Sequence, residues 1–367
     1  MKLCLIAPTP PPYGGVTNWE QILEKSLRRD EDIELSIIDI SPNKRPVDGR
    51  TIFDRVFYGT YTMFRSYIEL KKLIYDGKVE IVHMATSGGL GFFRDLLLLK
   101  LLKKRHIPVL YHLHFGRTVH YYDNNHYYWN LLLKATSIST HVLTIDKKTD
   151  FLLQKFIDPK KISCIYNPIE TDLFKELKVQ SQNTIVYVGS IIKEKGIEEL
   201  IQAFQLFISH AQEKYTLELV GQGKEDYINY LKTKYGKKNI SYVGEVCHEE
   251  AMLHIAAGKL FVLPSYTEGS PNVILEAMVL KKPIIASEVG SIPYMLAEES
   301  GVLVEPQNVD MLASVMKSVL LNNEKMKMMG ENAKHRVIEL FDVCKIYQEY
   351  KKLWRKMSYE EKNNFLY

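Results

Sequence analysis

Residues 264–278 read Pro264-Ser265-Tyr266-Thr267-Glu268-Gly269-Ser270-Pro271-Asn272-Val273-Ile274-Leu275-Glu276-Ala277-Met278. The apolar run that ends at Pro264 has the length of a buried strand, and 271–280 has the length and composition of a helix. Ser270 suits an N-cap and Pro271 the first helical position, so the passage reads as strand, loop and helix. The same alternation runs outward in both directions. Downstream come a strand over 283–287, a short helix near 292–297, a strand over 301–304 and a helical stretch from 310 to the end. Upstream, strands are predicted over 184–189, 216–220, 240–243 and 260–264, with helices over 197–211, 225–235 and 249–256 between them. The amino half repeats the pattern: strands over 2–7, 33–40, 81–84, 109–112, 141–145 and 161–165, with helices over 18–28, 52–75 (with a polar break) and 91–104. Between about 167 and 183 the periodicity stops at Pro168 and the polar run 178–183, which marks a linker. The fold class is therefore α/β: two Rossmann-like, doubly wound parallel sheets in tandem. The predicted domains are 1–167 and 184–340, joined by 168–183, with a helical tail over 341–367 packing back on the first domain. Ligands of such sheets bind at the carboxyl ends of the strands, which puts a ligand in a central cleft between the two domains.

The 367 residues fit two domains at roughly 150 residues each. Apolar residues at 46% and charged residues at 25% exclude wholesale disorder. A net charge of +4 is too weak a bias to argue for a nucleic-acid partner. Residues 1–180 hold 26 basic and 20 acidic side chains and the remainder 22 and 24, so the two halves suit different partners. Cys4, Cys164, Cys247 and Cys344 are scattered, as expected of reduced thiols in a cytoplasmic protein. The amino terminus is too short in apolar residues for a signal peptide, and the longest apolar run, 96–102, is broken by Lys100. The chain reads as cytoplasmic, with the inner face of the membrane as an alternative place of work.

Two passages carry chemistry. In the first, the free N–H groups opening the 271–280 helix form an anion site at a strand end. Glu276 is the only charged residue in the run 273–280, and a carboxylate there is costly unless something satisfies it. The second passage, Tyr187-Val188-Gly189-Ser190-Ile191-Ile192-Lys193-Glu194-Lys195-Gly196, links a strand to the 197–211 helix. Lys195 stands at that helix's amino end, where the macrodipole disfavours a cation unless an anion is bound. With the site empty, the expectation is a misplaced, solvated lysine.

With Glu194-Lys195-Gly196, Gly221-Gln222-Gly223 and Glu268…Glu276-Ala277-Met278 in this order, the carboxyl half resembles the family 4 retaining glycosyltransferases of the GT-B fold. The amino half resembles them in Pro12-Tyr13-Gly14-Gly15-Val16, Val82-His83 and Leu113-His114-Phe115-Gly116, and Asn167-Pro168-Ile169…Phe174 resembles their link into the second domain. The resemblance implies transfer of a sugar from a nucleotide diphosphate donor, UDP-linked before GDP-linked, to a glycan or lipid-linked acceptor in surface polysaccharide synthesis. It implies no cofactor and no metal. By the same resemblance Glu276 would hold the ribose hydroxyls, and Glu268 with Gly269, Ser270, Pro271 and Asn272 the donor sugar. Lys195 would neutralise the leaving diphosphate, with Gly189, Ser190 and Gly221 around it, and Val246 would line the base. Gly14 and Gly15 would let the first loop approach the phosphates, and His114 would sit beside the reacting sugar. Two positions depart from the family pattern: Ser190 stands where an arginine is usual, and Ser270-Pro271 where Phe-Gly is common.

The acceptor side is less legible. Arg117, Tyr121 and Tyr122 follow His114 in a densely aromatic stretch that either packs helices or stacks on sugars. The helix 91–106, with Phe92, Phe93 and the basic end Lys103-Lys104-Arg105, reads first as sheet packing and alternatively as a peripheral contact with an anionic membrane. His83 is assigned to structure. Asp30-Glu31-Asp32 is the only Asp-x-Asp and lies far from the donor motifs, on the surface. Two rival readings are a UDP-sugar 2-epimerase of the same architecture, and a catalytically silent nucleotide-sugar-binding subunit, which the serine at 190 would favour.

Overall fold

The computed structural model describes all residues except 12–13, 42–51, 173–178, 181, 237 and 365–367. Pro12, Tyr13 and Phe174 of the motifs above, and much of the predicted linker, lie outside the described residues. The chain divides into two compact units, Met1–Pro168 with Val343–Tyr367, and Ile169–Asp342. The second unit begins within the stretch read as linker, where Ile169 bridges to Asp342 and its N–H donates to the Phe341 carbonyl at 2.9 Å.

The first unit holds β1 (Lys2–Ala7), β2 (Glu34–Asp39), β3 (Ile81–Thr86), β4 (Val109–Leu113), β5 (His141–Thr144) and β6 (Ile162–Cys164). They form one parallel sheet in the order β2-β1-β3-β4-β5-β6. β3 and β4 are buried along their whole length, as strands covered on both faces must be. On one face the helix Gly91–Lys104 buries Phe92, Leu98, Leu99 and Leu102, so its leucine run is core. The other face packs on Trp19 of the helix Gly15–Arg28 and on Tyr350 and Trp354 of the helix Val343–Asn364. The Asp-x-Asp segment fastens that last helix. Asp30 accepts from Tyr347 at 2.7 Å and from Lys351 at 2.6 Å, while Asp32 pairs with Lys351 and Arg355, both at 2.9 Å. It is a clamp of charges, more than the plain surface segment expected from its position.

In the second unit β7 (Thr184–Val188), β8 (Thr216–Val220), β9 (Ile240–Gly244), β10 (Leu260–Leu263), β11 (Ile284–Ser287) and β12 (Val302–Val304) form a second parallel sheet in the order β12-β11-β10-β7-β8-β9. Renumbered within the unit this is 6-5-4-1-2-3, the order of dinucleotide-binding sheets, whose switch point lies between its first and fourth strands. Those strands are β7 and β10, which pair directly.

Three details differ from the sequence reading. The stretch 118–153, for which no helix is predicted, holds the helices Thr118–Asp123, Tyr127–Ile138 and Lys147–Leu153. The long tail is three helices, Val309–Leu320, Asn323–Leu340 and Val343–Asn364, the first two capped by Asn308 and Asn322. The helix after β10 spans Asn272–Val279 with Pro271 at the N-cap, so Ser270 is not the cap.

Candidate functional site

The loops that leave β7 and β10 meet at the switch point of the second sheet. Gly196 has φ 69°, and a Cβ there would run into the Pro264 carbonyl, so glycine allows the loop after β7 to lie against the loop after β10. Tyr266 N–H donates to Glu194 O at 2.9 Å across this contact, and Ile191 N–H donates to Gln222 O at 2.7 Å, tying the same loop to the one after β8. Gly221 likewise backs onto the Gly189 carbonyl, where a side chain would not fit.

This closeness brings together charges 73 positions apart. Lys195 Nζ donates to Glu268 Oε1 at 2.6 Å, and the buried Ser265 hydroxyl donates to the same oxygen at 2.7 Å. The side chains keep 26% and 11% of their exposure, so the pair is largely shielded from water. The expectation of a solvated, misplaced Lys195 is therefore corrected. Lys195 ends a 3-10 turn, Lys193–Lys195, before the helix Ile197–Ile208 begins, and its charge is met by a carboxylate. Tyr187, fully buried beneath, donates to the Ser190 carbonyl at 2.8 Å; burial and the Glu268 charge push its hydroxyl well above the ordinary tyrosine value. Ser190 itself is exposed and adds no cation where the family arginine would stand.

Glu276 is 6% exposed, and its Oε1 is held by His248 Nε2 at 2.9 Å. His248 opens the helix His248–Ala257 just after Val246, which is half-buried in the loop from β9. Sequence reasoning missed His248 and Ser265. The unpaired look of Glu276 in an apolar run was the one signal that a partner had to exist. The hydrogen bond and charge of Glu276 raise the His248 pKa above its ordinary value. Because the folded-state pKa is raised, the bond stabilises fully below the unfolded pKa, and the gain is lost as pH rises through the folded one. In an NMR titration His248 should titrate above the ordinary histidine range, and Glu276→Gln should bring it down. An unchanged midpoint in the mutant would remove Glu276 as the cause.

Gly269 and Asn272 are held at the same strand end, Gly269 O accepting from Ser291 N–H at 2.8 Å and Asn272 opening the helix. Ser270 and Pro271 are buried between them, and their side chains add no charge to this loop.

In the first unit the strand order reverses between β1 and β3. Gly14 caps the helix Gly15–Arg28 beside that point, with extended backbone, and its N–H donates to Thr17 Oγ1 at 2.8 Å. A Cβ at Gly14 or Gly15 would meet nothing within 4 Å, so packing within the chain does not demand glycine at either position. His114 follows β4 and is 8% exposed, with its ring 4.2 Å from that of Trp19. His112 Nδ1 lies 3.0 Å from His114 Nε2 and 3.1 Å from His83 Nε2, so one nitrogen serves two neighbours. Burial pulls His83 down to about 3, and His112 and His114 well below the ordinary value. All three rings are neutral at neutral pH. If Nδ1 of His112 carries its proton, His114 Nε2 can only accept from it; if not, His114 Nε2 can only donate to it, so the tautomers of the buried rings are coupled to the one His114 presents.

The acceptor candidates separate. Arg117 is exposed and precedes the helix Thr118–Asp123. Tyr122 is 42% exposed and lies against Trp129 and Phe156. Tyr121 is corrected to the core: it is 7% exposed and packed on Phe115, His126 and Tyr128, an aromatic cluster that leaves its ring no open face for a sugar.

Residues 168–336 match the description glycosyl transferases group 1, and residues 14–173 match glycosyltransferase family 4. The chain belongs to the family 4 glycosyltransferases. It is 27% identical over 317 residues to an uncharacterised glycosyltransferase, MJ1069, of Methanocaldococcus jannaschii, covering 80% of this chain and 78% of that protein. Over 135 residues it is 33% identical to a putative teichuronic acid biosynthesis glycosyltransferase, TuaC, of Bacillus subtilis, covering 37% and 32% respectively. The crystal structure of HepE from Anabaena in complex with UDP superposes with a TM-score of 0.73 at 17% identity, covering 97% of this chain and all of that one. The GT-B fold and a glycosyltransferase activity are thereby shown for this family 4 chain.

Proposed function

We propose that this family 4 glycosyltransferase transfers a sugar, with retention, from a UDP-linked donor to a glycan or lipid-linked acceptor of a surface polysaccharide. The observation that carries the reading is the Lys195–Glu268 pair, joined at the switch point of the second sheet with Glu276 on the helix that follows. The relative in teichuronic acid synthesis and the UDP-bound neighbour support the polysaccharide and the uridine nucleotide. In this reading the ribose hydroxyls donate to Glu276 and the donor-sugar hydroxyls to Glu268. Lys195 exchanges its carboxylate partner for the diphosphate, so the cation meets negative charge as it grows on the leaving group. The bond from the anomeric carbon to the diphosphate oxygen breaks, and the acceptor oxygen bonds to the same face of that carbon. The acceptor proton passes to a phosphate oxygen of the leaving diphosphate. His114, neutral and held by His112, donates or accepts one hydrogen bond beside the reacting sugar.

The test is UDP release from a panel of UDP- and GDP-hexoses, with product analysis. UDP formed together with an α-linked product from an α-linked donor is the expected result. A 2-epimer with no UDP would replace the reading by the epimerase, and binding without turnover would replace it by the silent subunit. The proposed chemistry places fixed hydrogen-bond donors and Lys195 on the diphosphate, and among the described residues no group of three or more metal-ligating side chains is assembled. Excess EDTA should therefore leave turnover unchanged. Loss on chelation with recovery on adding manganese would overturn this account of leaving-group stabilisation.

A further inference from the structure

The helix Ile52–Tyr75 carries a second apolar face besides the one that packs on the core. Its buried positions include Thr62, Ser66 and Leu70, at 6%, 0% and 0% exposure, two of them small and polar. With Leu70, the side chains of Tyr67, Leu73 and Ile74 pack on the core, but five large apolar side chains point the other way: Phe57, Tyr61, Phe64, Ile68 and Tyr75 are 63%, 52%, 54%, 66% and 91% exposed. The spacings of four, three, four and seven residues put all five on one stripe, and the 18 steps from Phe57 to Tyr75 run for about 27 Å. Scattered exposed apolar residues are ordinary, but a continuous stripe marks a contact surface.

The charges beside the stripe say what it contacts. Exposed Lys71 and Lys72 flank it on either side before Tyr75. Arg65 and Lys72 line one open groove with Tyr61, Phe64, Ile68 and Glu69, and Lys71 and Arg105 line the next with Ile74, Tyr75 and Leu101. Arg65 is paired with Asp39 at 3.5 Å, which leaves Lys71, Lys72 and Arg105 against Glu69 and makes the grooves positive. A second copy docked through the same face would set these cations against their own counterparts, since a twofold interface repeats one patch. An anionic bilayer surface meets both demands: headgroups take the lysines and arginines, and the acyl boundary takes the aromatic and isoleucine side chains. Among the described residues no helix is long and apolar enough to cross a membrane, so the contact is with the surface.

We propose that this stripe docks the protein on an anionic membrane surface. The membrane contact thus moves from the helix Gly91–Lys104, whose Phe92 and leucines are core, to the helix before it. The placement bears on the reaction. Arg65 Nη2 donates to the carbonyl of Asp39, the last residue of β2, at 2.5 Å, so the Phe57–Phe64 half of the stripe lies at the carboxyl ends of the strands. Ligands of an open parallel sheet bind at that end. Delivery of a lipid-linked acceptor to this end rests on the transferase reading; the docking itself does not.

The experiment is co-sedimentation of the full chain with vesicles of phosphatidylglycerol and phosphatidylcholine, against phosphatidylcholine alone, at low and raised salt. Binding to the anionic vesicles, weakened by salt, is expected. Lys71→Gln with Lys72→Gln should lower the partition coefficient about thirtyfold, roughly fivefold per charge. Phe64→Ser with Ile68→Ser should lower it at least about tenfold. UDP affinity by calorimetry should be unchanged in both double variants, which also reports that they fold. No binding by the unmodified chain, equal binding to both vesicle types, or variants that sediment like the unmodified chain would overturn the proposal. So would a self-association that the Phe64/Ile68 variant abolishes while its vesicle binding is unchanged. A chain that binds anionic vesicles yet no nucleotide would sink the transferase reading and leave this one standing.

Discussion

Lys195→Gln is expected to lower turnover by about 100- to 1,000-fold, the range for losing one group aimed at charge that develops in the transition state. UDP binding should fall by less, because the negative charge on the diphosphate is greatest as it leaves. The pair with Glu268 adds a second effect, which the position of Lys195 before a helix does not suggest. Glu268 is 11% exposed on its side chain and, among the described residues, keeps only the Ser265 hydroxyl once the lysine is gone. Stranding a shielded carboxylate costs about 1–3 kcal/mol, which in a domain of this size lowers the melting temperature by a few degrees. Glu268→Gln together with Lys195→Gln should recover most of that stability and none of the turnover. A Lys195→Gln enzyme of normal turnover would show that the pair is structural, and the phosphate-binding cation would then be sought first at Arg117.

Much of the fold was legible because its strands are short, apolar and regularly spaced, and the strand at Thr216–Val220 and the helices at Glu225–Tyr235 and Gly91–Lys104 were read to the residue. What periodicity does not convey is which face of a helix turns inward. The pattern of Ile52–Tyr75 fits a helix, yet its stripe of Phe57, Tyr61, Phe64 and Ile68 faces solvent. The helices Thr118–Asp123 and Tyr127–Ile138 are not legible in the sequence because tyrosine, histidine and asparagine there give no clean apolar period. The site was legible only in part. Its loops are legible from glycines and a strand end, but local sequence sets Lys195 only against its own helix, while its decisive neighbour lies 73 residues away. His248 carries no local signal at all. It is a polar residue at a helix start until folding sets it 2.9 Å from Glu276.

Glu276→Ala should weaken binding of bare UDP at least about 100-fold. Two ribose hydroxyls donating to one carboxylate contribute about 1.5–3 kcal/mol each, and each 1.4 kcal/mol is tenfold. Stability should change little, because His248, 48% exposed on its side chain, can turn its freed nitrogen to water. Glu268→Ala should behave in the opposite way. It removes partners of the sugar and not of the nucleotide, so binding of the UDP-sugar falls by about tenfold or more through lost charge-assisted bonds. It also releases Lys195, which no longer has to leave a carboxylate to meet the diphosphate, so bare UDP should bind as well as before or more tightly. Calorimetry with both ligands on both mutants gives four numbers whose pattern is fixed in advance. Equal losses for UDP and UDP-sugar in both mutants would show that the two glutamates do not divide ribose from sugar, and the assignment of Glu276 to the ribose would fall with it.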